Sequence, residues 1–205
     1  MNPASGELRL TVPPRVSKAE ALRWAEGQRG WMAAQQRRLP QARPFVEGAM
    51  VPLGDEEIVI DWRADAPRRV AREGNRLVVG GPRESVARRV STWLKAEALR
   101  VLSDETGFYA ARAGVPVSMV SVGDPRGRWG SCASDGAIRY SWRLILAPAW
   151  VRRATVAHEV AHRVHMNHGP AFHALVAELY GSDPTPARAW LKRHGAALHW
   201  FGRES

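Results

Sequence analysis

Cysteine is nearly absent, with one residue, Cys132, in 205. A lone thiol excludes an internal disulfide framework and fits a reducing compartment, so a cytoplasmic protein is expected. No apolar run approaches the roughly 20 residues that cross a bilayer, which argues against membrane insertion. The opening "MNPASGELRL" lacks the charged start and apolar stretch of a secretory signal. Internal repeats and low-complexity linkers are missing too. What remains is 45% hydrophobic residues and nine tryptophans, enough to bury a real core in one large domain or two small ones.

Lysine is scarce, at Lys18, Lys95 and Lys192, while arginine supplies the rest of 30 basic residues. The net charge of +10 would attract nucleic acid non-specifically at low salt, so DNA association is one partner to consider. The arginines are scattered in pairs such as Arg37–Arg38, Arg68–Arg69, Arg88–Arg89 and Arg152–Arg153, and are not gathered in one basic tail.

The hydrophobic period changes along the chain. "ELRLTV" alternates and reads as a strand stopped by Pro13–Pro14. Ser17 is placed to cap a helix over 18–39, which Pro40 and Pro44 end. "AMVPLGDEEIVIDW" has the pattern of a hairpin turning at Gly54–Asp55, and "NRLVVGG" that of a short strand. From Ser85 to about Arg112, Val86, Val90, Leu94 and Leu102 recur at helical spacing. "VPVSMVSVG" and "AIRYSWRLI" are expected strands around the turn-rich "DPRGRWGSCASDG". Helices are expected from Ala149 to His165 and over "TPARAWLKRHGAAL". The expected fold class is α+β: a β-rich N-terminal region with one helix over 1–82, then a helix–β-hairpin–helix part over 83–205, the two able to pack as one unit.

Four of seven histidines fall within "HEVAHRVHMNH", residues 158–168. His158-Glu159-Val160-Ala161-His162 is an H-E-x-x-H sequence. On a helix, positions four apart share a face about 6 Å apart along the axis, so two imidazoles can grip one ion. Glu159, next in angle, can address a water without ligating the metal. Val156, Val160 and Val164 form an apolar stripe that would support the helix from behind. The bland alternative is a pair of ordinary surface histidines, so a third ligand is needed. His165 lies about 7.5 Å beyond the midpoint of the pair along a continuing helix, too far for a bond of about 2.1 Å. His168 follows Asn167 and precedes Gly169–Pro170, where a helix ends and the chain can return. It is the favoured third ligand, with His173 and Glu178 kept as alternatives.

The stretch "GRWGSCASDGAIRYSWRLILAPAWVRRATVAHEVAHRVHMNHGPAFHALV" resembles the YgjP-like zinc metallopeptidases, relatives of the SprT and WLM proteases. Arg128 to Cys132 match an R-W-G-S-C element, Trp142, Arg143 and Leu144 a W-R-L element, and Asn167, His168 and Phe172 the segment after the helix. "LTVPP" and "VPLGDEEIVIDW" extend the likeness upstream. Ser141 departs from the family's usual asparagine, and the first strand starts late. The resemblance implies a zincin-like catalytic part, Zn2+ held by His158, His162 and His168, and Glu159 as the catalytic residue.

The mechanism expected is hydrolysis of a peptide bond in a protein or peptide, with Glu159 as general base toward a zinc-activated water. Developing oxyanion charge needs a further donor, for which Tyr140, Arg128 and His173 are candidates. "AIRYSWRLI" is a candidate edge for an extended substrate. For "RWGSC" a tight crossing, with Trp129 packed and Gly130 permitting the turn, is preferred over a loop at the metal. Cys132 is read as a small buried residue and not a regulatory thiol. Trp24, Trp31, Trp62 and Trp93 are assigned to packing, and His194 and His199 to no special role. The competing class is a non-catalytic binding protein in which zinc staples the fold, with nucleic acid as a candidate partner.

Overall fold

The computed structural model describes residues 1–204. The hairpin pairs β1 (Met50–Leu53) antiparallel with β2 (Glu56–Trp62) around Gly54, whose φ of +65° is left-handed backbone that glycine adopts freely. Beside β2 lies β4 (Arg76–Val79), parallel to it, and then β3 (Ala71–Glu73), antiparallel to β4. A second sheet holds β5 (Met119–Gly123), β6 (Gly130–Cys132) and β7 (Ala137–Ser141) in the order β5-β7-β6. Two small sheets with six helices make the fold α+β.

The helix α3 (Val86–Ala113) serves both sheets. Its buried positions Val86, Val90, Leu94, Ala98, Leu102, Thr106 and Ala110 are each four apart. Four residues advance about 400°, so this line drifts about 40° per step and winds around the helix. Its first half therefore faces β4, and its second half faces β5 and α4 (Ala149–Ala161). Thr106 stays satisfied inside by donating to the Leu102 carbonyl at 2.6 Å and pairing with the Tyr140 hydroxyl at 3.0 Å. Arg152 of α4 donates to Glu105 of α3 at 2.8 Å, a pair almost closed to solvent. One continuous core runs from Phe45 through α3 to Leu198.

Several local expectations change. "ELRLTV" forms no strand, since no neighbour pairs with it, and Leu8, Leu10 and Val12 stay exposed. The helix expected over 18–39 is two, α1 (Lys18–Gly27) and α2 (Arg29–Gln36), broken at Gln28 between low-propensity glycines. Ser17 does cap α1, accepting from the Glu20 amide at 3.2 Å. Trp24 and Trp31 are exposed, which removes them from the packing role. The strand from Ala137 stops at Ser141, and Trp142–Leu146 is a buried 3-10 turn. The short strands β3 and β6 carry too few residues to show a period.

Arg143, in that turn, ties the C-terminal part down. Its Nε and Nη2 donate to Asp124 at 2.6 and 3.0 Å, and Nη1 donates to the carbonyls of Leu198 and Phe201 at 2.7 and 3.0 Å. The helix α6 (Thr185–Leu198) thus ends on a buried guanidinium that satisfies its orphan carbonyl. Burial raises the Asp124 carboxyl, but the hydrogen bonds and charge of Arg143 outweigh it and hold the group below its usual range. His199 is also buried here, 3.8 Å from Asp124, and sequence reading gave it no role. Its burial, reinforced by Arg143 and more weakly by Arg203 and Arg126 against the opposing Asp124, pushes it down to about 4.

The folded value of His199 lies below the roughly 6.5 of an unfolded chain, so the unfolded state takes the proton first on acidification. This group's contribution, on the order of 3 kcal/mol, is complete above pH 6.5 and is lost as pH falls toward 4. Thermal unfolding of metal-free protein should fall more steeply from pH 7 to 4.5 in wild type than in His199→Gln, by several degrees. Parallel pH profiles would show that His199 does not titrate in folding.

Candidate metal centre

Helix α4 is buried at Val156, Ala157, Val160 and Ala161, and these positions seat it against the core. It ends at Ala161, four residues before the expected His165, so Val164 does not continue the apolar stripe and is exposed. The chain then turns through Asn167 to Gly169, and Pro170 opens α5 (Pro170–Tyr180) with the fixed φ suited to a first helical turn. That turn carries His168 back over the face that holds His158 and His162.

One ligand nitrogen from each of these three histidines lies within 4.8 Å of the others. The Nε2 atoms of His158 and His168 are 3.3 Å apart. Two nitrogens at tetrahedral angles on bonds of about 2.1 Å stand about 3.4 Å apart, so the spacing fits one shared ion. His162 Nδ1–H donates to the His165 carbonyl at 3.1 Å, which leaves Nε2 free to ligate. His165 therefore contributes its backbone and not its ring. Phe172, fully buried, stacks under all three imidazoles at centroid distances of 4.9, 4.5 and 4.7 Å and limits their rotation.

The electrostatics favour the neutral form of the two helical histidines. Burial, then the neighbouring His162 and His168, push His158 down to about 4. Burial likewise lowers His162, against a smaller opposing effect of its hydrogen bond to His165. Neutral imidazoles are the form that binds metal. Glu159 is buried, and desolvation raises it to about 7 against the opposing charge of Arg128.

Gly130 explains how Glu159 fits. A Cβ at that position would stand 2.5 Å from Glu159 Oε1, so the first residue of β6 must lack a side chain. The tight crossing expected of "RWGSC" is thus also a contact with the site. Trp129 packs on Gly195 of α6, where a Cβ would come within 2.6 Å of its ring. Cys132 is half-buried outside the histidine group, its thiol raised by burial.

A cleft of about 270 Å³ opens beside the histidines. Val176, Ala187 and Leu191 give it an apolar wall, and Arg128, His173 and Arg188 a basic rim. Arg188 has no signature in its own segment and was missed from sequence. Tyr140 does not line the cleft; its hydroxyl is enclosed and bonded to Thr106, so it is removed from the oxyanion donors. His173 lines the cleft but stands outside the ligand group, its ring 6.3 Å from that of His168. The expected edge strand is also corrected: β7 is paired on both sides, and β5 and β6 are the outer strands, of which β6 lies at the site through Gly130.

The family described as YgjP-like, metallopeptidase domain, matches residues 1–194. The chain belongs to the YgjP-like family. No curated protein and no solved structure matches it. Membership makes this YgjP-like chain a member of a metallopeptidase family, and its three clustered histidines are a group able to hold a metal ion. No helix is long and apolar enough to cross a membrane among the described residues.

Metal analysis of the YgjP-like protein should find one tightly held divalent ion, lost in His158→Ala, His162→Ala and His168→Ala and kept in His173→Ala. Phe172→Leu should retain the ligands but weaken affinity about tenfold in chelator competition, as loss of outer support does. Unchanged metal content in His168→Ala would disprove the assignment.

Proposed function

We propose that this chain is a zinc-dependent peptidase that hydrolyses peptide bonds in protein or peptide substrates. The supporting observation is the convergence of three imidazoles beside a buried carboxylate that lines the same cleft. A set of nitrogen donors without a carboxylate suits zinc better than calcium or magnesium, which prefer oxygen. With zinc held by His158, His162 and His168, the ion supplies Lewis acidity to a water and a substrate carbonyl. Glu159 takes the proton from the attacking water and returns it to the leaving amine. Arg128 and His173, both lining the cleft, are the remaining donors for the oxyanion.

Strand β6 is the substrate edge in this reading. The Ser141 amide donates to the Trp129 carbonyl, and the Ala133 amide to the Ala137 carbonyl. Between those bonds, antiparallel alternation turns the N–H and C=O groups of Gly130 and Cys132 away from β7. An extended peptide can pair there, beside Glu159. The arrangement of α4, β6 and α5 supports a zincin-like catalytic part over 83–205, buttressed by residues 1–82. With no internal disulfide possible, the cytoplasm is its proposed place of work.

Cleavage of an unfolded protein should fall about 10²–10⁴-fold in Glu159→Gln, with metal still bound. Gly130→Ala, which displaces Glu159 without touching a ligand, should lower the rate at least tenfold at equal metal content. Equal cleavage by wild type and Glu159→Gln would rule out this mechanism. No cleavage by either, with metal bound, would favour a zinc-stapled binding protein.

A further inference from the structure

A second cleft, of about 600 Å³, lies where the chain entering β3 meets the first half of α3, and it shares no lining residue with the metal-site cleft. Arg68, Arg69, Arg88, Arg89 and Arg100 line it, with Trp93 on its wall. The only carboxylate in the lining, Glu97, is already bonded to Arg100 at 2.6 Å. Arg89 is held in place, donating to Ser85 at 2.7 Å and to the Arg68 carbonyl. The guanidinium groups of Arg68, Arg69 and Arg88 have no carboxylate partner among the described residues. Five like charges line one groove, and a bound anion lowers their mutual repulsion.

We propose that this groove binds a single strand of nucleic acid through its phosphates. The winding of the buried line on α3 leaves Arg88, Thr92, Trp93, Ala96 and Arg100 together on its outer side. From Arg88 to Arg100 the helix advances about 18 Å, long enough to meet several successive phosphates of one strand. Guanidinium forks match phosphate oxygens two at a time, and all the cations here are arginine. Trp93 packs on the core and also lines the groove, which sets an aromatic surface suited to base stacking beside the arginines. In a duplex the base faces are stacked on one another, so a single strand is the form that offers one to Trp93. The inference does not depend on the peptidase reading.

The test is fluorescence anisotropy of labelled 12-nucleotide strands, DNA and RNA, with the full chain at 50 to 300 mM salt. Two triple variants are compared with wild type: Arg68→Ser/Arg69→Ser/Arg88→Ser in the groove, and Arg23→Ser/Arg37→Ser/Arg38→Ser elsewhere on the surface. The groove variant should lose at least tenfold in affinity at low salt. Its log–log salt slope should shrink by about 2, since each single-strand phosphate contact carries about 0.7. The surface variant, with the same change of charge, should stay within about threefold of wild type. Groove-dependent binding of either strand supports the assignment, and the pair of probes identifies the sugar accepted. Equal losses in both variants would overturn it in favour of diffuse attraction. Tighter binding of the matching duplex, or of polyglutamate, would overturn the single-strand occupant. Matching circular dichroism and melting of all three proteins confirms that the comparison is between folded chains.

Discussion

Three imidazoles meet at one point because the helix that carries two of them stops at Ala161 and the chain returns through Asn167–Gly169 into α5. A longer α4 would carry His165 away along the axis and leave His168 out of reach. The early end also frees the His165 carbonyl to accept from His162, which sets that ring's tautomer and aims its other nitrogen inward. Phe172, two positions into α5 from Pro170, then fills the space beneath the rings. Helix end, tautomer and packing are consequences of one turn in the backbone.

The rest of the molecule holds that turn in place. Helix α4 is fixed to α3 by the enclosed Arg152–Glu105 pair and to β6 by the missing side chain at Gly130. On the far side of β6, Trp129 meets Gly195, and Arg143 closes the end of α6 while gripping Asp124. These contacts take most of Glu159 out of solvent, and desolvation is what raises its carboxyl. Arg143 and Gly130 both fall within the segments that resemble the family, yet neither is a donor at the histidine group. Their part is to bring elements close enough for the site to exist.

Long periodic elements were legible in the sequence, and short or unpaired ones were not. The hairpin over 49–62 and helix α3 carry enough residues for a hydrophobic period to show. β3 and β6 have three residues each, too few for any period. "ELRLTV" shows the opposite failure: it has the alternation of a strand and no neighbour to pair with. A period reports which face could be buried, not whether a partner arrives to bury it. For the same reason Trp24 and Trp31, apolar and helical in context, remain at the surface.

The sequence alone determined the local chemistry: His158 and His162 four apart on one helix face, Glu159 between them, and a segment around Gly169–Pro170 that cannot continue a helix. Those relations follow from covalent spacing and backbone sterics within a few residues. Only the tertiary structure decided that His168 joins the pair while His173 stays on the rim, and that Tyr140 gives its hydroxyl to Thr106. It also made β6 an outer strand and brought Arg68, Arg69 and Arg88 into one groove. These are meetings of residues far apart in the chain. They depend on how buried faces stack, which no spacing along one segment contains.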